Sequence, residues 1–170
     1  MRVSCSECGL DHDLDQMSLV AHAPAHWAML SDEERAASTL TRDQCVVRTT
    51  RETAFFVAAN LLVPVHKTAA EYSWGVWVSL SERSFKEMQE LWEDPTRVAR
   101  GPYFGWLCTA IPGYPDSMYL KTMVHQRAVG LRPTVELEPT DHPLAVHQRL
   151  GVDAQELLAV IHRATGSTHQ

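Results

Sequence analysis

Residues 72–80 restrict the fold of this chain more than any other segment. Large apolar side chains alternate there with small or mixed ones, a period of two that is typical of a β-strand with one buried face. The apolar face carries Tyr72, Trp74, Val76, Val78 and Leu80. Three more strand candidates, at 103–111, 118–126 and 131–138, have no helical pattern between them. This spacing favours an antiparallel meander.

Along the sequence, helices are predicted before, between and after these strands. Ser31 and Glu34 form a capping box, which predicts a short helix, and an earlier β-rich run covers residues 53–65. Further helix starts are predicted at Ser84, Asp141 and Asp153. The sequence therefore predicts an α+β fold: an antiparallel sheet of about five strands, helices packed on one side, and an N-terminal CxxC turn like that of a zinc knuckle.

Length and composition are those of an ordinary globular chain. At 170 residues we expect a single domain over 1–170, with an irregular metal-binding segment at 1–30 and an α+β core at 31–165.

The formal net charge is −6 and no Lys/Arg cluster occurs, which argues against nucleic acid as a partner. The longest mostly apolar run, 54–65, is too short to span a bilayer, and the N-terminus has no signal-peptide core. We therefore expect a cytoplasmic protein with reduced thiols.

The Cys5-x-x-Cys8 spacing carries the clearest chemistry in the chain. Two thiols separated by two residues, with a glycine directly after the second, form half of a tetrahedral zinc site. His12 is the nearest further ligand, and Cys45 is the remaining candidate because Cys108 lies in an apolar strand. The sequence thus predicts Zn²⁺ bound by Cys5, Cys8, His12 and Cys45. Metal-free structural or redox thiols are the alternatives.

A second group of polar residues indicates a ligand pocket. Asp141 and His142 stand side by side at a predicted helix start, where the helix dipole favours a neutral imidazole. With Arg132 and Tyr114 they form a candidate pocket for an anionic ligand. The simpler interpretation is that Asp141 is an N-cap and the other polar groups are satisfied within the fold.

Aromatic residues are concentrated on the predicted strands. Trp74, Trp77, Phe104 and Trp106 are candidates for the core, as strand aromatics usually are. If Trp77 lies on the opposite face from Trp74, one face is available as a groove for a partner or ligand.

An ordered series of short motifs resembles one protein family. The series includes Cys5-x-x-Cys8-Gly9-x-x-His12, Trp74-Gly75-Val76-Trp77, Pro112-Gly113-Tyr114-Pro115 and Thr140-Asp141-His142-Pro143. From about residue 5 to residue 151 the chain resembles the uncharacterised bacterial family called domain of unknown function 2199. The resemblance implies a compact bacterial domain with a thiol-rich N-terminus, and it implies no particular activity.

Two functions fit these observations. The first is a soluble, non-enzymatic zinc-binding domain that recognises another protein, as an immunity or regulatory partner would, and it predicts a closed four-ligand metal site. The second is a small metal-dependent hydrolase or lyase, with water at an open metal position and a pocket containing Arg132, Asp141 and His142. The sequence leaves open whether the protein is an enzyme and what its oligomeric state is.

Overall fold

The computed structural model describes residues 2–6 and 9–165, and this part of the chain contains nine strands and five α-helices. The strands are β1 (Arg2–Ser4), β2 (Asp11–Asp13), β3 (Thr39–Leu40), β4 (Gln44–Arg48), β5 (Thr53–Pro64), β6 (Glu71–Leu80), β7 (Tyr103–Leu107), β8 (Lys121–His125) and β9 (Thr134–Leu137). The helices are α1 (Ala25–Ala28), α2 (Asp32–Ala37), α3 (Glu82–Glu90), α4 (Pro143–Leu150) and α5 (Ala154–Thr165).

Strands β5 to β9 close into a small barrel. They pair antiparallel in sequence order, and β9 then returns to β5 through a short parallel pairing, Asn60 with Thr134 and Leu61 with Val135. β4 and β3 extend the same sheet beyond β5. The α+β class is thus confirmed, whereas the simple antiparallel sheet of about five strands was wrong, because five of the strands form a closed barrel.

The length of β5 allows both the closure and the extension. Its first part, residues 53–57, pairs with β4, and its later residues 60 and 61 pair with β9 on the same edge. A twisted strand of this length changes direction along its course, so two partners can approach one edge at different points. The barrel therefore depends on contacts between segments more than 70 residues apart.

Strand alternation divides the buried side chains between two cores. The larger core contains the predicted apolar face of β6 together with buried residues of α3, α4 and α5. The smaller core contains Cys45, Val47, Phe56, Ala58, Trp77 and Cys108. Trp74 belongs to the larger core and Trp77 to the smaller one, which confirms that they lie on opposite faces. Both are buried, so neither face of this part of β6 is a free groove.

Two helix caps differ from the sequence prediction. α2 begins with the predicted capping box at Ser31. α3 is capped by Ser81, whose hydroxyl accepts from the backbone N–H of Ser84, the residue predicted as the cap. α4 is capped by His142, whose Nδ1 accepts from the N–H of Leu144, so Asp141 is not the cap. In both cases the capping residue lies within three positions of the predicted one.

The N-terminal part of the chain is more regular than expected. β1 and β2 form an antiparallel hairpin, and α1 follows at residues 25–28. Residues 17–21, which lie between this hairpin and α1 in the sequence, run along one edge of β6 and are here called the N-terminal strap. β7 pairs only with residues 78–80 of β6, so the preceding part of that edge is open to the strap. Val20 forms an isolated parallel bridge with Gly75.

Candidate metal centre

Cys5, His12 and His162 bring three metal-binding atoms together. One ligand atom from each residue lies within 4.8 Å of the others. Tetrahedral zinc bonds of about 2.0–2.3 Å place ligand atoms roughly 3.3–3.8 Å apart, so closing this group on an ion needs shifts of about 1 Å. Cys5 is buried and the two histidines are partly buried. A thiol and two imidazoles in this arrangement suit a borderline-soft transition metal.

The β1–β2 hairpin places Cys5 and His12 at one end of the group. His12 pairs with Val3 across the hairpin, and Cys5 directly follows β1. The N–H of Cys5 donates to Leu10 O and the N–H of Gly9 donates to Cys5 O, both at 2.9 Å. Gly9 has φ +71°, a left-handed conformation that glycine adopts without a steric penalty. The local sequence thus holds the thiol of Cys5 and the imidazole of His12 within one short hairpin.

Helix α5 supplies the third residue from the other end of the chain. Gln155 and His162 are seven residues apart and therefore lie on the same face, two turns from each other. The side chain of Gln155 accepts from the N–H of Ser6 at 3.0 Å and donates to Ser4 O. The rings of His12 and His162 meet edge to face, with centroids 5.2 Å apart. Amide contacts and the histidine pair thus hold α5 against the hairpin.

The structure brings two of the four ligands predicted from the sequence into this group. Cys5 and His12 belong to the group, and Cys8 lies outside the described residues. Cys45 points into the smaller core with Cys108, so the structure does not bring it to Cys5. Burial there raises the pKa of the Cys45 thiol to about 11, which disfavours the thiolate that a metal needs. His162 takes a place in the group that the sequence had assigned to Cys45.

Sequence reasoning missed His162 because nothing local distinguishes it. It is one of nine histidines and follows the buried Leu158 and Ile161 on an amphipathic helix. A partly buried histidine beside a core face is a weak signal of a metal ligand. Its pairing with Cys5 depends on how the two ends of the chain meet.

The predicted anion pocket is divided between separate networks. Arg132 Nε donates to Asp43 Oδ1 at 2.7 Å, next to β4. His142 caps α4, and its Nε2 contacts the carbonyl oxygen of Pro115. Asp141 is exposed. The guanidinium is thus already paired with a carboxylate and the imidazole with backbone groups, as the simpler interpretation expects, whereas its other part, Asp141 as the N-cap, was wrong.

Tyr114, the remaining member of that predicted pocket, helps to position α5. Its Oη lies 2.9 Å from His147 Nδ1, and His147 Nε2 lies 3.2 Å from Glu156 Oε1. Burial raises the pKa of Tyr114, so the phenol stays protonated and bonds as a neutral group. This chain of contacts joins the turn before β8, α4 and the first turn of α5. It therefore stabilises the helix that carries His162.

Phe104, Trp106 and Met123 form an exposed patch on the outside of the barrel, here called the aromatic strip. Phe104 is 48% exposed and Trp106 is 40% exposed, and their rings meet edge to face with centroids 5.3 Å apart. Met123 lies directly across from Phe104 on β8. Of the four predicted aromatics, these two therefore do not belong to the core.

The fold and the site together define a small α+β barrel protein with a Cys/His/His group suited to a metal ion. The chain belongs to the family DUF2199, described as an uncharacterized protein conserved in bacteria, whose model matches residues 4–152. The matched range includes Cys5 and His12 and ends before α5. The searches of curated proteins and of solved structures found no match. None of the helices in the described part of the chain has the length and apolar character needed to cross a membrane.

Proposed function

We propose that this protein is a zinc-binding, non-enzymatic binding protein in which the metal joins the N-terminal hairpin to α5. The convergence of Cys5, His12 and His162 within 4.8 Å carries the proposal. Thiolate and imidazole are the ligands that zinc prefers, and a structural zinc contributes directly to folding free energy. The bound ion would cross-link two segments that are far apart in sequence.

Cys8 completes the centre in this proposal. It stands three residues after Cys5 in the sequence, as in the half-sites of structural zinc centres. Four protein ligands make a closed structural centre, whereas three ligands and a water make a catalytic one. The enzyme alternative has less support, because Arg132 is paired with Asp43 and His142 caps a helix. The same proposal includes a single domain and a cytoplasmic location, where thiols remain reduced.

Metal content tests the ligand assignment. Purified wild-type protein is expected to contain one equivalent of zinc, and His162→Gln or Cys5→Ser to bind zinc at least 100-fold more weakly. In the wild type, a chelator is expected to make Cys5 reactive toward iodoacetamide, while Cys45 and Cys108 stay unreactive because burial raises their pKa values. Elemental analysis, competition with a chromophoric chelator and mass mapping of alkylated peptides measure these outcomes.

His125→Gln is the matched control for the histidine variants. His125 is 41% exposed and its ring contacts the exposed Glu136, away from the candidate centre, so its replacement is expected to leave zinc binding unchanged. Stoichiometric zinc that survives His162→Gln would contradict the assignment. Cys8→Ser tests whether the centre is closed: a loss equal to that of Cys5→Ser supports four protein ligands. Retained zinc with an exchangeable water would instead support the metal-dependent enzyme.

In this proposal the protein binds another protein, and the aromatic strip supports such an interaction. Exposed aromatic and methionine side chains are enriched at the centres of protein interfaces. Charges of both signs lie beside the strip: Glu136 pairs with Met123, and Lys121, which lies across from Trp106, forms an ion pair with Glu138. We therefore expect a partner protein with an apolar centre and a polar rim of mixed charge.

Replacement of the strip tests the partner proposal. The partner is identified by co-purification from the native bacterium, produced separately and titrated against the wild type and the double variant Phe104→Ser/Trp106→Ser. We expect the double variant to bind at least ~30-fold more weakly, the effect of losing a hot spot of about 2 kcal/mol. Leu150→Ser, which alters an exposed leucine at the end of α4, is the control. Equal affinity of the double variant and the wild type would exclude the strip as the interface.

A further inference from the structure

Tyr103 and Gln126 place polar groups inside the barrel, at the end that α3 covers. Tyr103 begins β7 and lies across from Val124 of β8, and Gln126 follows two residues later on the same face. Their side chains are buried, with Tyr103 7% and Gln126 5% exposed. Helix α3 contributes Phe85 and Met88 to the same core. This end of the barrel thus combines an apolar lining with two buried polar side chains.

The polar atoms of these two side chains have no hydrogen-bond partner in the described part of the chain. They are Tyr103 Oη and both polar atoms of the Gln126 amide, Oε1 and Nε2. An unpartnered buried polar group costs about 1–3 kcal/mol, which an apolar side chain of similar shape would avoid. The hydroxyl and the amide together can offer donors and acceptors to a bound molecule.

A cavity of about 720 Å³ lies between α3 and Arg100, next to these groups. Glu87 and Arg100 line the cavity, and both have an electrostatic effect on the phenol of Tyr103. Burial raises the pKa of Tyr103, so its hydroxyl stays protonated and can donate. The Gln126 amide and the Glu87 carboxylate lie beside this hydroxyl, although not in hydrogen-bonding geometry. The hydroxyl therefore points from the barrel toward the cavity.

The rim of the cavity carries charges of both signs. Lys86 Nζ and Glu82 Oε1 form an ion pair with each other at 2.7 Å. The other charged residues of the rim are two cations and two anions: Arg83, Arg100, Glu87 and Glu90. A small molecule with both an ammonium and a carboxylate group complements such a rim better than a molecule of one charge.

We propose that this end of the barrel binds a free amino acid that has an amide side chain. The ligand's carboxamide pairs with the amide of Gln126, because each amide offers one donor and one acceptor in the same plane. Tyr103 donates to the carbonyl oxygen of the ligand, Glu87 contacts its ammonium group and Arg100 its carboxylate. The exposed side chain of Arg100 rotates as the ligand enters. The inference goes beyond the proposed function and depends on neither the metal centre nor the aromatic strip.

Nuclear magnetic resonance of the full-length protein with L-glutamine as the probe tests the proposal. The side-chain amide of Gln126 and the backbone amide of Gly101 are expected to shift. The side-chain amide of Gln148 is the internal control, because it already bonds to the backbone of Leu137 and Val135. L-norleucine, which has a similar side chain without the amide, is the control probe. It is expected to bind at least ~10-fold more weakly, the effect of leaving buried polar groups without partners.

Two variants remove the polar groups and keep the bulk of the side chains. Gln126→Leu and Tyr103→Phe are each expected to weaken L-glutamine binding at least ~10-fold. Without ligand, both are expected to unfold at a urea concentration equal to or above that of the wild type, because each removes unpartnered polar atoms from the core. His125→Gln is the matched control, since His125 precedes Gln126 but contacts Glu136 on the outer face, and it is expected to bind as the wild type does.

The same experiments include results that would overturn the site. They are an unshifted Gln126 amide at millimolar L-glutamine, equal binding of L-norleucine, or unchanged binding by Gln126→Leu. A loss of stability in both variants without ligand would show that the polar atoms are satisfied within the fold, and it would also reject the proposal. Chelation is expected to leave L-glutamine binding unchanged, so a failure of the zinc proposal does not affect this test.

Discussion

Removal of the metal with EDTA is expected to lower the thermal unfolding midpoint of the wild-type protein by about 10–20 °C. The ion would link residues 12 and 162, and a cross-link that closes a loop of more than 100 residues stabilises a fold by roughly 5 kcal/mol. For a domain of 150–250 residues, each kcal/mol shifts the midpoint by about 2–4 °C. Calorimetry with and without chelator measures the shift, and added zinc is expected to reverse it.

Two variants show whether this shift originates at the proposed centre. His162→Gln is expected to unfold near the midpoint of the chelated wild type and to show no further loss with EDTA. His125→Gln is expected to behave as the wild type does, because its partner Glu136 is exposed. An EDTA effect of the same size in His162→Gln would place the stabilising metal at a different site.

Gly105→Ala is expected to destabilise the barrel by about 3–5 kcal/mol. A Cβ at Gly105 would collide with the backbone carbonyl oxygen of Ser79 and lie 2.6 Å from Val78 Cγ1. Gly105 pairs with Leu80 where β6 meets β7, so the collision involves backbone that cannot move without breaking this pairing. Urea unfolding followed by tryptophan fluorescence and circular dichroism measures the change in free energy.

Gly130→Ala is the matched control for this substitution. Gly130 has φ +84°, which a side chain disfavours, but a Cβ there would meet no atom within 4 Å. Its replacement is therefore expected to cost only about 1 kcal/mol, the strain of a left-handed residue. If the two variants lose equal stability, the collision of a Cβ with Ser79 O is not the reason that residue 105 is a glycine.

Local patterns predicted most of the strands and helices after residue 30, although the hairpin and the helix before it were expected to be irregular. The alternating face of β6 is buried in the larger core as expected, because alternation follows from the geometry of a single strand. The capping box at Ser31 is present for the same reason, since it involves residues three apart. The misplaced caps of α3 and α4 show the limit of this reasoning. Ser81 and His142 compete with nearby polar residues that have similar capping chemistry.

The closure of the barrel could not be predicted in the same way. The parallel pairing of Asn60 with Thr134 joins segments that carry no shared sequence pattern. It arises because twist and the length of β5 bring β9 to an edge that β4 occupies only in part. The prediction of a simple sheet treated consecutive strands as neighbours and gave no reason for the last strand to return to the first.

The candidate metal centre shows the same division between local and distant information. The sequence by itself determined the Cys5-x-x-Cys8 spacing, the nearby imidazole of His12 and the alternating strands, because these features depend on residues close together in the chain. Only the tertiary structure placed His162 beside Cys5. It also placed Cys45 elsewhere, in the smaller core. The physical reason is that ligand geometry depends on how α5 packs against the hairpin. That packing is the sum of many weak contacts between segments about 150 residues apart.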